Sequence, residues 1–589
     1  MDYGFFDLFT LFGSLGLFLY GMKVMSDALM ELAGDRMRTI LATTTANRFF
    51  AVLTGFTITA VIQSSSATTL MVVSFTNAGL LTLTEAIGVI MGANIGTTAT
   101  AWLISILGFK VSMSALALPL FGIGFMMSMR PGPNAKNWGY FLIGFSVLFI
   151  GLEFLKNSLP DIGSNPELLS TLSSYTTMGY GSVLLFMVLG TMLTLILQSS
   201  SATMALTLLM TFEGWIPFEL AAAMVLGENI GTTITANLAS LIGNYQAKRA
   251  ARAHLIFNLL GVIWMGALFY PFLSLVDTLV IRIEGFSPFV YATAVPVALS
   301  LFHTLFNIIN TSLMLGFIPL IAHIVESMVP PDEEKSDETR LAEPQYLDES
   351  SLAYPQTAMK ALIDESLHLL QHAAYKAITH GMSVHRTDLE SGRHIRELLD
   401  SSQTVEVDIE ALYQSSIKPI YSKILNYATT IQRHFTLDEE QIEIIRNILI
   451  ANRMLVHVVK KITPLHKNII TFRASDNPHI NDEYKKLRRQ ILKTIKKIHR
   501  CKNSDNPLKK LRELIRDSEQ GKQIDVLKSG HINELLIEKK ISSYEATSLM
   551  NDSENARKII RDLINIASLL YHPRDTFTEK LENTEIAAV

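Results

Sequence analysis

Two short polar motifs each occur twice in this chain. Gln-Ser-Ser-Ser-Ala-Thr stands at 63–68 and again at 198–203, and Asn-Ile-Gly-Thr-Thr stands at 94–98 and again at 229–233. Hydroxyl and amide side chains offer hydrogen-bond donors and oxygen ligands but carry no charge of their own. The duplicated motifs therefore predict binding of small ions.

The serines are the predicted anion ligands. Each serine run interrupts an apolar stretch, at about 48–78 and about 180–212. Serines that begin a helix cap its free N–H groups, and these groups together with the helix dipole attract an anion. Packing between helices is the alternative for any single hydroxyl. The predicted ligands of a tetrahedral oxyanion are Ser64, Ser65, Ser66, Ser199, Ser200 and Ser201.

A doubly charged anion at the middle of a membrane needs compensating positive charge. Neither stretch contains Lys or Arg after Arg48, so small cations must accompany the anion. Amide and hydroxyl oxygens are hard ligands that suit Na⁺. No other metal and no cofactor is predicted. The predicted sodium ligands are Gln63, Thr68, Asn94, Thr97, Thr98, Gln198, Thr203, Asn229, Thr232 and Thr233.

Three further patterns lie near the motifs. Glu228 replaces Ala93 of the first copy, and it is either a functional carboxylate or a helix-end residue in water. His254 and Asn258, like His303 and Asn307, are four residues apart and share a helix face, which favours interhelical hydrogen bonds over direct ligation. Close packing is predicted for Gly92, Gly96, Gly227 and Gly231.

The charge distribution divides the chain. Of 589 residues, 49% are hydrophobic and 18% charged, but the first 330 contain only 27 charged residues and the other 259 contain 77. This split excludes a single soluble domain and predicts a membrane region followed by a water-soluble one. The one cysteine, Cys501, excludes a disulfide framework, and its basic surroundings predict a lowered thiol pKa.

A membrane-spanning helix needs about 20 apolar residues. The N-terminal stretch lacks the basic flank of a secretory signal, so we expect a retained helix. The two interrupted stretches are predicted to be re-entrant hairpins, because irregular polar backbone at membrane depth requires protein or water around it. Seven spans are predicted, at about 5–30, 83–107, 112–129, 138–157, 218–243, 254–273 and 290–325.

The motifs belong to an internal repeat. Residues 63–108 align without a gap onto 198–243, with 20 identities in 46 positions. Each repeat, at about 5–130 and about 138–274, would contain three crossings, so the second copy is predicted to be inverted, as in many secondary transporters. The last helix, at about 290–325, follows the repeats. The predicted fold is all-α, a polytopic membrane protein with two inverted-topology repeats, each with a re-entrant helical hairpin, followed by a cytosolic helical bundle.

The rest of the chain reads as a linker and a helical domain. Residues 331–350 contain eight acids and predict a solvated linker. From 351 to 589, apolar residues recur with helical spacing and predict an antiparallel bundle. Nine Lys or Arg at 485–502 suit anionic lipid, nucleic acid or an acidic partner, but a solvated bundle face is favoured.

No Gly-x-Ser-x-Gly elbow and no phosphate-binding loop for ATP occurs in the sequence, so an enzyme is not expected. The energy source must be a gradient or a partner. Lys and Arg concentrate in alternate loops, which predicts an outside N-terminus and a cytoplasmic tail.

With its duplicated motifs and His254 to Asn258, the segment 1–325 resembles the type II sodium-dependent inorganic phosphate cotransporters and their bacterial relatives. The resemblance implies phosphate as substrate, Na⁺ as coupling ion, the serines as phosphate site and a bacterial inner (plasma) membrane. The tail resembles a PhoU-like helical domain, a regulator. Its metal-binding turn is in doubt because Arg453 follows Asn452 where an acid is expected.

The resulting prediction is sodium-coupled phosphate transport by alternating access, with a cytosolic regulatory tail. The alternatives are a membrane-anchored phosphate sensor and a phosphate exporter. Expected partners are phosphate, sodium, membrane lipid, and a second copy of the chain or a cytosolic regulator bound through the tail. Nucleic acid is not an expected partner.

Overall fold

The chain folds into two compact helical units. One contains the described residues up to 331 and the other those from 343 to 583. In the part of the chain that the structure describes, every regular element is helical. Most of the predicted acidic linker, 332–342, lies outside the described residues. The computed structural model describes residues 5–43, 47–111, 113–158, 175–241, 243–331, 343–391, 393–401, 408–501, 507–520 and 525–583.

Thirteen helices of eleven or more residues form the described part of the first unit. They are α1 (Phe5–Thr43), α2 (Arg48–Ile62), α3 (Ser65–Asn77), α4 (Leu83–Leu103), α5 (Ser114–Ser128), α6 (Pro133–Asn157), α7 (Tyr180–Leu197), α8 (Ser200–Phe212), α9 (Phe218–Ser240), α10 (Tyr245–Ala267), α11 (Phe269–Glu284), α12 (Val295–Met314) and α13 (Ile318–Met328).

The pairs α2–α3 and α7–α8 are each separated by two residues, at the two serine runs. The predicted helix breaks are therefore present. Whether each pair enters and leaves the membrane on one side, and whether the repeats are inverted, stay predictions.

Six helices among the described residues are long and apolar enough to cross a membrane, judged by length and composition. The first unit is thus that of a multi-pass membrane protein. Five of the six coincide with predicted spans, and the sixth is Tyr180–Leu197, which the sequence assigned to a hairpin. The predicted spans at about 112–129 and 218–243 are not among the six.

These two differences have physical reasons. Helix α5 has 15 residues, which rise only about 22 Å at 1.5 Å per residue, short of a hydrocarbon core of about 30 Å. Helix α9 has 23 residues, and most of them are buried among other helices. Its two Glu, two Asn and three Thr lower its mean hydropathy, so composition alone does not identify it as a span, and its crossing of the membrane stays a prediction.

Two predicted spans are interrupted. The span at about 254–273 ends at Ala267, and α11 begins at Phe269 with Pro271 in its first turn. The span at about 290–325 is divided into α12 and α13, with Pro319 near the start of α13. Proline has no N–H for a continuous helix, so it starts a new one.

The second unit is a helical bundle over its described residues. Its core combines the apolar faces of three long helices, Glu439–Arg473, Pro478–Arg500 and Ser543–Asn583. The helices are α14 (Pro355–Leu369), α15 (Tyr375–Gly381), α16 (Arg386–Glu390), α17 (Ile395–Ser401), α18 (Ile409–Leu412), α19 (Lys418–His434), α20 (Glu439–Arg473), α21 (Pro478–Arg500), α22 (Pro507–Gln520), α23 (His531–Ile537) and α24 (Ser543–Asn583).

The basic helix α21 buries one apolar face. Tyr484, Leu487, Ile491, Ile495 and Ile498 are all at most 4% exposed, as their helical spacing predicts. The cysteine that follows this helix corrects a prediction. Burial raises the pKa of the Cys501 thiol, and the charge of Lys510 opposes this only in part. The basic surroundings therefore do not make it a reactive thiolate.

The predicted counterpart of a metal-binding turn lies on α20. Asn452 is fully buried and donates hydrogen bonds to Oγ of Ser366, at 2.8 Å, and to the carbonyl oxygen of Ile448. Arg453 is exposed. Asn452 thus holds α20 against α14, and the described residues contain no group of three His, Cys, Asp or Glu side chains placed to hold a metal.

Candidate functional site

Each serine run begins a helix in the same way. Ser64 and Ser199 have extended backbones, with φ of −146° and −151°, and their Oγ atoms accept the backbone N–H of Ala67 and Ala202 at 3.2 Å. This is the N-cap geometry that serine favours. The positive ends of α3 and α8 therefore lie at the two serine runs.

The residue before each serine takes a left-handed conformation. Gln63 has φ of 59° and Gln198 has φ of 52°. This conformation ends α2 and α7, and the next helix begins two residues later. The side chains differ in their surroundings. Oε1 of Gln63 accepts a hydrogen bond from Thr100, at 3.0 Å, whereas the Gln198 side chain is exposed.

A threonine pair closes each break. Thr59 donates to Oγ1 of Thr68 at 3.0 Å, and Thr194 donates to Oγ1 of Thr203 at 3.1 Å. Thr68 and Thr203 are fully buried, and each hydroxyl lies 3.2 Å from the carbonyl oxygen of the capping serine. Both predicted sodium ligands are therefore already engaged in holding the two halves of the break together.

The six serines differ in exposure. Ser200 and Ser201 are buried, whereas Ser64, Ser65, Ser66 and Ser199 are half-buried. Hydroxyls at this depth retain lone pairs and protons for a ligand. The two serine runs thus offer donors without any formal positive charge, as the sequence predicts.

The Asn-Ile-Gly-Thr-Thr motifs lie inside helices α4 and α9. Asn94 and Asn229 are each 5% exposed. Nδ2 of Asn94 donates to Oδ1 of Asn258 on α10, at 2.8 Å. Nε2 of His303 on α12 lies 3.5 Å from Oδ1 of Asn229. One residue of each pair, Asn258 and His303, therefore joins its helix to a motif helix, which confirms the predicted interhelical hydrogen bonding for these two residues.

The threonines of these motifs donate their hydroxyl protons within their own helices. The hydroxyls of Thr97, Thr98, Thr232 and Thr233 all donate to backbone carbonyls of their own helix, at 2.7 to 3.0 Å. A hydroxyl that donates its proton in this way presents only oxygen lone pairs to its other neighbours. Such oxygens can coordinate a cation, and the role of these threonines as sodium ligands stays a prediction.

Glycines bring the helices of each break close to the motif helices. A Cβ on Gly92 would overlap the carbonyl oxygen of Val52, and one on Gly227 would overlap that of Met187. Gly96 and Gly231 similarly meet Thr59 and Thr194 of the threonine pairs. The predicted close packing of these glycines is confirmed.

Two contacts between the halves involve the same pair of positions, with the roles of the two copies swapped. Asn77, at the end of α3, accepts the backbone N–H of Asn244 at 2.8 Å. The equivalents 135 positions away, Phe212 at the end of α8 and Phe109 after α4, are also in contact, with ring centroids 5.0 Å apart and planes inclined at 54°. Residue 77 contacts residue 244, which is equivalent to 109 in the other copy. Residue 109 contacts residue 212, which is equivalent to 77. Reciprocal contacts of this kind are expected of two copies related by a two-fold axis.

Glu228 is buried in the interior of α9, with 1% of its surface exposed. This excludes the alternative of a helix end in water. It is the only Asp or Glu buried among the described residues of the first unit. Its Oε1 lies 3.2 Å from Oγ1 of Thr207, and Thr207 also lies 2.9 Å from the carbonyl oxygen of Thr203.

The single hydroxyl proton of Thr207 faces two acceptors, Oε1 of Glu228 and the carbonyl oxygen of Thr203. Thr207 is therefore the neighbour that holds the Glu228 carboxyl group in place. Oε2 of Glu228 has no partner among the described residues.

Several other buried polar atoms around the motifs lack a protein partner within the described residues. Unpartnered buried groups are costly, and in native proteins they are normally satisfied by water, ions or ligands. Their presence beside the motifs is consistent with a site that holds small polar species. These atoms are Nδ2 of Asn229, Oδ1 of Asn307, both ring nitrogens of His254 and Nδ1 of His303.

Sequence reasoning missed two participants. Thr207 contacts Glu228, and its signal was the spacing of Thr203, Thr207 and Thr211, which places three hydroxyls on one face of α8. Thr100 binds Gln63, and its signal was that it is identical in both repeats, as Thr235.

Comparisons with known proteins give consistent matches. The family model described as Na⁺/Pi-cotransporter matches residues 17–157 and 167–320. The "Putative inorganic phosphate export protein YjbB" of Salmonella typhimurium is 29% identical over 362 residues, which cover 62% of this chain and 62% of that protein. The chain thus spans less than two thirds of the length of this relative.

Two further relatives match different shares of the chain. The "Uncharacterized protein YqeW" of Bacillus subtilis is 31% identical over 316 residues, which cover 53% of this chain and 95% of that protein. The human "Sodium-dependent phosphate transport protein 2B" is 32% identical over 102 residues, 17% of this chain and 15% of that protein. No solved structure matches the chain significantly.

Proposed function

This chain belongs to the Na⁺/Pi-cotransporter family, and on that premise we propose that it carries inorganic phosphate across a membrane together with sodium ions. The family is one of transporters, not of enzymes. The duplicated helix break is the observation that carries the proposal, because it forms two uncharged anion sites of identical local geometry.

Phosphate would bind at the serine runs. Ser64, Ser65 and Ser66 begin α3, and Ser199, Ser200 and Ser201 begin α8, so each run combines hydroxyls with the positive end of a helix. Two such ends suit an anion with four oxygens. No Lys or Arg side chain lies in either break, which leaves the anion charge to be offset by cations.

Sodium would bind beside phosphate. We assign the coupling ions to the oxygens of Gln63, Gln198, Asn94, Asn229 and the motif threonines. Glu228 adds one carboxyl group to the second half only, since Ala93 holds the equivalent position. A carboxyl that is neutral without cations and ionised with them would supply part of the missing charge compensation.

Transport would proceed by alternating access. Helices α3 and α8 each begin at a serine run and end at a contact with the opposite half, through Asn77 and Phe212. Movement of one half against the other would open and close these contacts in turn. In the proposed orientation the N-terminus lies outside a bacterial inner membrane, and the second unit is a cytosolic regulator.

The direction of transport is a separate question. The relative YjbB is named as an exporter, and the human relative is named as a sodium-dependent transporter. We propose that sodium drives phosphate movement through this chain in either direction, so the direction follows the sodium gradient. The second unit would set when the transporter is active.

The test uses the full chain in sealed lipid vesicles. With sodium outside and potassium inside, radioactive phosphate should accumulate, and it should not do so when potassium replaces sodium. Ser65→Ala and Ser200→Ala should each raise the KM for phosphate about tenfold, since each removes one hydrogen bond to a charged ligand. Sulfate should compete poorly with phosphate for uptake.

Ser312→Ala is the matched control. Ser312 is exposed on α12, and its hydroxyl bonds to its own helix, so its loss should not change transport. Phosphate binding without any gradient-dependent flux would contradict the proposal and support a membrane-anchored phosphate sensor. Flux that is equal in sodium and potassium would remove sodium from the mechanism.

A further inference from the structure

The second unit contains a cleft with a strong excess of positive charge. The cleft has a volume of about 800 Å³ and lies between α21 and the segment 393–397. Seven Lys or Arg side chains line it, against one carboxylate, Glu397. We call this cavity the cationic cleft.

Helix α21 supplies most of the charge. Arg489, Lys493, Lys496 and Arg500 are spaced by four, three and four residues, so they lie along one helix face. This face differs from the buried apolar face that begins at Tyr484. The opposite wall contributes Arg393 and Arg396.

Other basic residues of α21 have local partners. Lys485 pairs with Asp400 at 3.3 Å, and Lys486 pairs with Glu483 at 2.6 Å. Arg488 is buried and donates to the carbonyl oxygen of Met382 at 2.9 Å. These three residues are explained by the stability of the bundle.

The cationic cleft is different. Arg489, Lys493 and Arg500 form no ion pair within the described residues. Burial and the nearby charge of Arg500 lower the pKa of Lys496, which shows like charges held close together. Nζ of Lys496 lies 3.3 Å from the carbonyl oxygen of Arg393, so the two walls are in contact. Seven cations beside one carboxylate repel one another, and a bound polyanion reduces that cost.

We propose that the cationic cleft binds a compact solute that carries several phosphoryl groups. A single inorganic phosphate has at most two negative charges at neutral pH, fewer than the seven positive charges that line the cleft. Arginine suits this role because its planar group binds two phosphate oxygens at once. The cleft is a second phosphate-recognition site, separate in the chain from the serine runs, and it does not rest on the transport proposal.

The shape and lining of the cleft select the ligand class. Its residues include one imidazole, His394, but no Phe, Tyr or Trp, so it lacks the large aromatic rings on which nucleobases stack most strongly. It is concave, whereas a flat basic face would suit a membrane surface. Both features favour a soluble polyphosphate or a polyphosphorylated polyol over RNA or an anionic bilayer.

The test measures binding of inorganic tripolyphosphate to the purified full chain by calorimetry. We expect saturable binding that weakens with salt and that sulfate at equal ionic strength does not match. The variant Arg489→Gln/Lys493→Gln removes two exposed cations from the cleft. Its Kd should rise about 10- to 100-fold, since each lost contact to a phosphoryl group is worth roughly a factor of three to ten.

A matched variant carries the same change of net charge. Arg446→Gln/Lys467→Gln removes two exposed cations from α20, outside the cleft, and its Kd should stay within about twofold of the parent chain. Equal loss in both variants would show general charge attraction and overturn the proposal. Binding to vesicles of anionic lipid or to RNA, without binding to tripolyphosphate, would overturn it in favour of those partners.

Discussion

Gln63 and Gln198 share one left-handed backbone conformation, with φ angles of 59° and 52° at positions 135 residues apart. A residue with a Cβ atom pays about 1–2 kcal/mol for this conformation. Glycine would avoid that cost, yet glutamine stands at both breaks. Backbone strain of this kind is typical of functional positions, where the side chain is needed.

The variant Gln198→Gly tests whether the glutamine side chain is needed for function although glycine would relieve the backbone strain. We expect its melting temperature to rise, because glycine relieves about 1 kcal/mol of backbone strain and the Gln198 side chain is exposed. Sodium-dependent phosphate uptake should fall at least about fivefold, because the amide oxygen is lost as a ligand. Thermal unfolding and vesicle uptake check the two effects.

Lys539 provides the control, since its φ of 51° lies in the same region within the second unit. Lys539→Gly should also stabilise the chain, but without loss of uptake. Full uptake by Gln198→Gly would exclude the amide as a sodium ligand.

Glu228→Gln should leave the fold intact. The glutamine amide oxygen can accept the hydroxyl proton of Thr207 as Oε1 of the glutamate does, so we expect a change of unfolding free energy below about 0.5 kcal/mol. The amide cannot ionise, and the sodium concentration for half-maximal uptake should therefore rise about tenfold.

Glu219→Gln, at the first turn of the same helix, serves as the control and should keep the sodium dependence of the parent chain. A large drop in melting temperature for Glu228→Gln would mean that the carboxylate is ionised in this conformation. Unchanged sodium dependence would remove Glu228 from coupling.

Gly92→Ala and Gly227→Ala should each destabilise the first unit by about 1–3 kcal/mol, because the added methyl group overlaps a carbonyl oxygen of the neighbouring helix. The measurement is the temperature at which the protein aggregates in detergent. Gly16 and Gly266 have open space around them, and alanine there should cost nothing. Tolerance of alanine at Gly92 would contradict the close approach of α2 and α4.

The second unit should lose stability in mild acid. Burial, aided by the nearby charges of Lys376, His385 and His466, lowers the pKa of His380 from 6.5 to about 4. Between these values the unfolded chain binds more protons at this site than the folded one, so stability is full above about pH 6.5 and falls as the pH drops toward 4.

Hydrogen exchange of the peptide Tyr375–Gly381, corrected for the intrinsic pH effect, should therefore speed up between pH 7 and pH 5. His380→Gln should reduce this change. An equal change in the variant would assign the acid sensitivity to other groups.

Features that depend on neighbouring residues could be predicted well. The two helix breaks follow from serine capping, which involves residues only three positions apart, and the apolar face of α21 follows from helical spacing. The pKa of the Cys501 thiol could not be predicted in this way. A sequence shows the basic residues around the thiol but not the burial that raises its pKa.

The same limit applies to the spans. Hydropathy identified five of the six long apolar helices. The hairpin that includes α7 and the spans at α5 and α9 stay predictions, because length and composition do not show where a helix lies in a membrane.

The sequence by itself determined that the first half of the chain is apolar enough to span a membrane and that it carries two copies of each polar motif, because those properties reside in composition and in local repeats. Only the tertiary structure decided that Asn258 lies against Asn94 and His303 against Asn229, because helices far apart in the sequence bring these side chains together. The burial of Glu228 was likewise decided by the helices packed around α9.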